Sequence, residues 1–317
     1  MRSLISSVAL AISFVFCAAA SAQTVGIATS NPGSLFHNIG TAVANAANRS
    51  GLNATIQPAT SPNQYLPFVA SGGIEFGVAN LQEVNYALEG KEWFSGNPNP
   101  DLRIVGLIMP LREAIFVRAD SDIHSIADLK GKPMVDGYTA QQTIIPQLEA
   151  MYATAGMTRD DIVPVQVPSV VAGADAFIAG EAVGFIFAHG AGKVRQADAA
   201  VGGLRALPVE NTEENLRLIR EHWPVAFLTE IEGGSTPGVT ETAWYMAYPQ
   251  VVFTHANAGE GVVYAMARAL YENKSVLAET FPPFNAFKPA DMVGDLGASE
   301  YHPGAIRFYR EVGIWKE

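Results

Sequence analysis

Two hydrophobic spacings alternate along almost the whole chain. Val25 and Ile27 alternate with small residues, which predicts a short strand. From Leu35 onward apolar residues recur every three or four positions, which predicts a helix. Short apolar runs such as 76–79 and 184–187 predict buried strands. Strands that alternate with helices in this way indicate an α/β fold with largely parallel sheets.

The same pattern places the remaining elements. Further strands are predicted at 53–57, 102–109, 114–117, 133–135, 162–167 and 204–209, with extended segments at 225–231 and 243–254. Helices are predicted at 63–71, 81–88, 125–129, 143–155, 172–179, 192–199, 212–221, 259–271 and 303–312. Two alternating blocks are visible, which indicates two α/β lobes. We predict a first lobe of residues 23–112 plus 233–317 and a second lobe of residues 113–232.

The first 22 residues have the pattern of a signal peptide. Arg2 supplies a positive charge, residues 4–16 are mostly apolar, and Ala20-Ser21-Ala22 is a typical cleavage site. Cleavage after Ala22 would remove the only cysteine, Cys17. The alternative, a membrane anchor, is disfavoured by the short apolar run. We therefore expect export to the periplasm.

Charge and motifs exclude several classes of function. The chain has 317 residues, 49% of them hydrophobic, and a net charge of −11, which disfavours nucleic acid as a partner. The six histidines show no metal-ligand spacing, and no Gly-x-Ser-x-Gly, His-Glu-x-x-His or Walker motif is present. We therefore predict no catalytic residue, no metal and no cofactor. An exported enzyme has only weak support.

The stretch 24–51 carries the clearest binding chemistry. A strand, a polar turn around Gly33 and the start of a helix capped by Ser34 or Asn31 would aim free N–H groups at one point. Such a point attracts an anionic group. The alternative is an ordinary connection between a strand and a helix.

Several motifs resemble a known receptor family. They are SNPGSLF (30–36), ASGGIEFGVAN (70–80), IADLKGK (126–132) and HPGAIRFY (302–309). Together they resemble the TAXI-type solute-binding proteins of TRAP transporters, the tripartite ATP-independent periplasmic transporters. The resemblance covers essentially the whole mature chain. It implies a two-lobed periplasmic binding protein of the type II-like class, which closes on its ligand.

The resemblance implies ligand-binding positions in the first lobe. Ser30, Asn31, Ser34 and Phe36 match the ligand-binding turn of the family, and Phe36 stands where the family has a tyrosine. Asn80 and Gln82 follow the predicted strand 76–79 and would face the cleft. The alternative role for these two residues is helix capping.

The remaining implied positions lie in or near the second lobe. Tyr138, Thr139, Gln141, Gln142 and Thr143 occupy the family's glycine-rich binding loop, whose two glycines are replaced here by Ala140 and Gln142. His189 follows the strand 184–187, where it would either bind ligand or support a turn. Thr236 lies in the loop that returns to the first lobe. The expected ligand-binding residues are Ser30, Asn31, Ser34, Phe36, Asn80, Gln82, Tyr138, Thr139, Gln141, Gln142, Thr143, His189 and Thr236.

These observations together predict a periplasmic solute receptor. We expect it to bind a small organic anion or amino acid, glutamate-like or a short dicarboxylate, and to deliver it to TRAP permease subunits driven by an ion gradient. A monomer is expected, because a receptor of this kind must close freely. Two alternatives stay open: a receptor for an ATP-driven (ABC) importer or a sensor kinase, and an exported enzyme on a related scaffold.

Overall fold

The computed structural model of the chain describes residues 24–316, which form two sheets covered by helices. The strands within this range are β1 (Thr24–Thr29), β2 (Asn53–Pro58), β3 (Phe76–Asn80), β4 (Leu102–Leu107), β5 (Leu111–Arg118), β6 (Pro133–Gly137), β7 (Val163–Val167), β8 (Gly184–Ala188), β9 (Leu204–Leu207), β10 (Phe227–Ile231), β11 (Ala243–Tyr248) and β12 (Gln250–His255). The α-helices are α1 (Leu35–Arg49), α2 (Pro62–Ala70), α3 (Leu81–Glu89), α4 (Ile144–Ala153), α5 (Val170–Ile178), α6 (Gly192–Val201), α7 (Glu213–His222), α8 (Glu260–Glu272), α9 (Lys274–Thr280) and α10 (Pro303–Glu311).

The first sheet has the strand order β2-β1-β3-β12-β4. Strand β1 runs parallel to β2 and β3, whereas β12 runs antiparallel to β3 and β4. Helix α1 packs on this sheet and against α8 and α9, and α8 packs against α10. The first half of the chain and its C-terminal part therefore share one hydrophobic core.

The second sheet has the order β10-β11-β5-β8-β6-β7, and β9 also pairs with β5. Strand β6 is parallel to β7 and β8, but β5 is antiparallel to β8, β9 and β11. The expectation of largely parallel sheets was therefore wrong. Both sheets are mixed, because β5 and β12 each enter from the other lobe and run against the strands built by strand–helix repeats. The two-lobed α/β class itself is confirmed.

Two short crossovers connect the lobes. Residues 108–110 join β4 to β5, and Pro249 alone separates β11 from β12. The sequence placed the return to the first lobe near residue 233, but β11 pairs with β10 and β5 in the second sheet. The chain reaches the first sheet only at Gln250. The predicted signal peptide, residues 1–22, lies outside the described residues.

The start of α1 shows how local sequence builds the cleft edge. Gly33 has φ +90°, a left-handed conformation that favours glycine, and it turns the chain after β1. Ser34 then caps α1, and its Oγ accepts a hydrogen bond from the His37 N–H at 3.2 Å. Gly40 lets the helix approach β1 closely, because a Cβ there would lie 2.1 Å from the Thr29 side chain. The polar turn is thereby held at the carboxyl end of β1.

Candidate functional site

A cavity of about 40 Å³ lies between the two lobes. Its walls come from the first helix turns and strand ends of both sheets. The lining residues are Ser30, Asn31, Ser34, Leu35, Phe36, Thr60, Asn80, Leu111, Glu113, Gln141, Thr143, Ile144, Gln147, Ser169, Val170, Val171, Phe187, Ala188 and Tyr248. The cavity is far smaller than the pockets of about 300–1,000 Å³ that hold drug-sized molecules. Its size therefore selects small solutes.

Two hydrogen bonds orient Asn80, one at its backbone N–H and one at its side-chain amide. Its N–H donates to Oε2 of Glu83 at 3.1 Å, and its side-chain Oδ1 accepts from Nε2 of Gln250 at 2.7 Å. Gln250 is the first residue of β12, so the crossover at Pro249 positions Asn80. Because Oδ1 is occupied, the amide nitrogen of Asn80 is the group left for other partners.

The second-lobe wall is held by side-chain contacts to helix starts. Oε1 of Gln141 accepts from the Val170 N–H at 3.0 Å, which ties the loop before α4 to the start of α5. Ser169 caps α5, with its Oγ accepting from the Ala172 N–H at 3.4 Å. Both polar atoms of the Gln147 side chain are buried without a partner among the described residues. Such atoms favour a polar occupant of the cavity.

Four helices begin at the cavity. The first residues of α1, α4 and α5 and the cap of α3, Asn80, all belong to its lining. A helix start carries unpaired N–H groups and a positive dipole end, and it stabilises a negative charge. The four helix starts in the lining make the cavity suited to an acidic group, and no arginine or lysine is among the described lining residues.

Glu113 adds one carboxyl group to this otherwise neutral lining. Glu113 of β5 is 3% exposed, and its Oε2 accepts a hydrogen bond from the Tyr248 hydroxyl at 2.7 Å. Burial raises the pKa of Glu113 to about 8, and the Tyr248 hydrogen bond opposes that rise. Among the described lining residues no side chain is cationic. Within residues 24–316 no group of three or more His, Cys, Asp or Glu side chains is arranged to hold a metal.

The lobes touch each other across the cleft. Oγ of Ser61, the cap of α2, donates to the Ala140 carbonyl of the second lobe at 2.7 Å. Trp223, which follows α7, lies edge-on to Tyr86 of α3 with the ring centroids 6.1 Å apart. The structure is therefore a closed form, and a solute can enter only when the lobes separate.

A model of the NMT1-like family matches residues 27–313. The chain belongs to the NMT1-like family. The match includes both crossovers and every lining residue of the cavity.

Several solved structures have a fold similar to that of this chain. A structure described as a periplasmic transporter aligns with a TM-score of 0.56 at 13% identity, over 92% of each chain. PhnD1 from Prochlorococcus marinus, solved with methylphosphonate, aligns with a TM-score of 0.55 at 8% identity, over 93% of this chain and 100% of that one. A protein from Bordetella bronchiseptica gives 0.53 at 12% identity, over 92% and 98%. The NMT1-like chain therefore has the fold of periplasmic solute-binding proteins, as predicted.

Seven of the predicted site residues line the cavity of this NMT1-like protein. They are Ser30, Asn31, Ser34, Phe36, Asn80, Gln141 and Thr143. Six others lie outside the lining: Gln82, Tyr138, Thr139, Gln142, His189 and Thr236. Thr139 and Gln142 are exposed, while Gln82 and Tyr138 are buried in the lobes.

His189 is packed as a core residue of the NMT1-like fold. Its ring lies between Phe116 and Tyr245, with centroids 5.1 and 4.7 Å away. Burial, together with the nearby Arg112, lowers the pKa of His189 to about 3, so the ring is neutral. This packing, and its position outside the cavity lining, favour the supporting role of the two that the sequence left open.

The sequence reasoning missed part of the site. Glu113, Gln147, Ser169 and Tyr248 supply polar atoms to the lining, and none of them was predicted. Glu113 has one visible signal, because it is a carboxylate at the start of the apolar run 114–117. Tyr248 has no such signal, since its hydroxyl reaches the cavity only through the pairing of β11 with β5.

Proposed function

We propose that this NMT1-like protein is a solute receptor of the periplasm, which captures a small molecule with an acidic group and delivers it to a membrane importer. The observation that carries this proposal is the closed cavity at which four helices begin. Hydroxyl and amide side chains from both lobes surround it, and a solute that touches both walls stabilises the closed form. A cavity of this size between two lobes fits capture better than chemistry on a large substrate.

The acidic group of the solute would lie against the helix starts. Carboxylates, sulfonates and phosphonates all accept hydrogen bonds from backbone N–H groups and short hydroxyl side chains. The structural relative PhnD1 was solved with methylphosphonate, which carries a group of this kind. The carboxylate ligand expected from the sequence stays within the same class.

We propose an ATP-driven importer as the partner rather than a TRAP permease. The family model that spans residues 27–313 is NMT1-like, whereas the resemblance noted in the sequence was to TRAP receptors. The genes beside this one test the assignment. Genes for an ATPase and a permease would support it, and a large fused permease gene would contradict it.

Binding is tested on the mature chain, residues 23–317, by native mass spectrometry and then by calorimetry. The probes are short carboxylates, sulfonates and phosphonates of two to four carbons. We expect at least one of them to bind with a 1:1 stoichiometry and to raise the melting temperature in proportion to ln(1 + [L]/Kd). If none binds, the proposed function is wrong.

A pair of variants locates the binding. Ala188→Leu adds volume inside the cavity, and Ala200→Leu adds the same volume on the exposed face of α6. We expect the first change to weaken binding at least tenfold and the second to leave it unchanged, with both proteins folded by thermal melting. Equal effects of the two changes would place the site elsewhere.

A further inference from the structure

The carboxyl of Glu113 is unusual among the groups that surround the cavity. Its Oε2 accepts a hydrogen bond from the Tyr248 hydroxyl at 2.7 Å, and this is the one side-chain contact within residues 24–316 that acts on its pKa. The side chain nevertheless belongs to the lining and is almost fully buried. A carboxylate offers about four acceptor positions, so Glu113 keeps the capacity to accept hydrogen bonds from a ligand.

No protein cation neutralises this carboxyl. The described lining residues contain only hydroxyl, amide and apolar side chains besides Glu113. The nearest other ionisable groups that influence it are Glu83 of α3, Tyr138 after β6 and Tyr248 of β11. All three are acids, so none of them compensates a negative charge on Glu113.

The cavity lining therefore combines two unlike features. The helix starts of α1, α3, α4 and α5 favour a negative group, and Glu113 favours a positive one. The cavity volume of about 40 Å³ keeps both features within the length of a small molecule.

We infer that Glu113 determines specificity by pairing with a cationic nitrogen of the solute, whose acidic group lies at the helix starts. The solute is then a short zwitterion, such as an amino carboxylate, aminosulfonate or aminophosphonate. This inference rests on the proposed function and names the substrate class of the same cavity. The ammonium group of a zwitterion brings the positive charge that the lining lacks, and the helix starts stabilise its acidic group.

Matched pairs of probes test the inference, because the members of each pair differ only in the amino group. The pairs are β-alanine and propionate, taurine and ethanesulfonate, and 2-aminoethylphosphonate and ethylphosphonate. We expect the wild-type protein to bind the amino member of at least one pair 100-fold or more tighter than its partner. If only the members without an amino group bind, or both bind equally, the inference is wrong and the proposed function stands. If no probe binds, both are wrong.

The variant Glu113→Gln removes the charge and keeps an acceptor for the Tyr248 hydroxyl. We expect it to reduce the preference for the amino member to threefold or less. Glu241→Gln, on an exposed loop, is the matched control and leaves the preference unchanged. A Glu113→Gln protein that melts like the wild type and keeps the full preference would overturn the inference.

Proton release gives an independent readout. Burial raises the pKa of Glu113 to about 8, so the free protein holds a proton there at pH 7. Pairing with an ammonium group requires the ionised form, and binding then releases close to one proton. Calorimetry in two buffers of different ionisation enthalpy measures that number, and we expect it to fall to near zero in Glu113→Gln. Release near zero from the wild type would show that the carboxyl stays protonated when the solute binds, which overturns the inference. Burial also raises the pKa of Glu83 to about 8, and the charge of Glu113 adds to that rise, so the same measurement on Glu83→Gln separates the protons that belong to Glu83.

Discussion

Two buried glutamates on the two sides of the cleft have the same charge chemistry and different surroundings. Burial raises the pKa of Glu83 and of Glu113 to about 8. Glu83 is the third residue of α3, and its Oε2 accepts the Asn80 N–H. It does not line the cavity, whereas Glu113 does. The raised pKa of each carboxyl is therefore a consequence of its burial. The two groups differ in that Glu113 borders the cavity, where a ligand can reach it, and Glu83 does not.

Groups from both lobes lie close to the carboxyl of Glu83. Besides the Asn80 backbone, the Thr143 hydroxyl of the second lobe lowers the pKa of Glu83 and so favours its charged form. Glu83 thus lies between the cap of α3 and the cap of α4. We expect changes at Glu83 to affect stability and closure, and changes at Glu113 to affect the choice of ligand.

The largest expected effect is the pH dependence that the two glutamates share. A carboxyl whose pKa is higher in the folded protein than in the unfolded chain binds its proton more tightly when folded. The free energy of unfolding therefore falls as the pH rises from about 4.5 to about 8, by up to about 5 kcal/mol for each group. Urea denaturation between pH 4.5 and pH 9 measures it. Glu83→Gln and Glu113→Gln should each remove part of the fall, and an unchanged profile in both variants would contradict the assignment.

Removal of the Glu83 side chain comes next. Glu83→Ala leaves the Asn80 N–H without its acceptor and opens space between the lobes, which should lower the free energy of unfolding by about 2 kcal/mol at pH 6. The matched variant Glu113→Gln should change it by less than about 0.5 kcal/mol at the same pH, because the protonated carboxyl and the amide are similar in shape. Denaturation in urea measures both. Equal losses would erase the distinction between the two sites.

Tyr248→Phe tests the hydrogen bond that the Tyr248 hydroxyl donates to Glu113. The change removes this hydrogen bond and should cost about 1 kcal/mol of stability. It should also raise the pKa of Glu113 further, because this hydrogen bond lowers it. The pH profile of ligand binding measures that shift. Tyr245→Phe on the same strand serves as the control, and an equal shift there would argue against a specific contact.

The smallest expected effect comes from a hydrogen bond between the lobes that involves neither glutamate. Ser61→Ala removes one hydrogen bond between the lobes, to the Ala140 carbonyl, and should favour the open form by about 0.5–1.5 kcal/mol. Small-angle scattering of the ligand-free protein should show a larger radius of gyration than the wild type. Ser71→Ala, whose hydroxyl bonds to Phe68 within the first lobe, should show no change. An effect of both variants would point to general loosening.

Local sequence patterns predicted the first-lobe elements beside the cavity. The turn around Gly33, the cap at Ser34 and the position of Asn80 after β3 depend on residues within a few positions of each other. Periodicity also placed most helices and strands close to their observed bounds. Helix α9 was missed, because seven residues are too few for a clear helical period.

The lobe boundary and the second-lobe part of the site were harder to predict. The segment containing β11 looks the same in sequence whether it pairs in the first sheet or the second, and pairing with β5 decides the matter. His189 and Thr236 looked suitable for ligand binding because they occupy loops after strands. In the structure His189 packs against Phe116 and Tyr245 and does not line the cavity.

The sequence by itself determined the α/β class, the alternation of elements, the polar turn before α1 and the resemblance to two-lobed receptors, because all of these depend on short-range spacing and residue type. The tertiary structure decided the strand directions, the return at Pro249 and the closed contact of the lobes. It also brought Tyr248 to Glu113, 135 positions away along the chain. Long-range pairing of strands creates such contacts, and no local pattern records them.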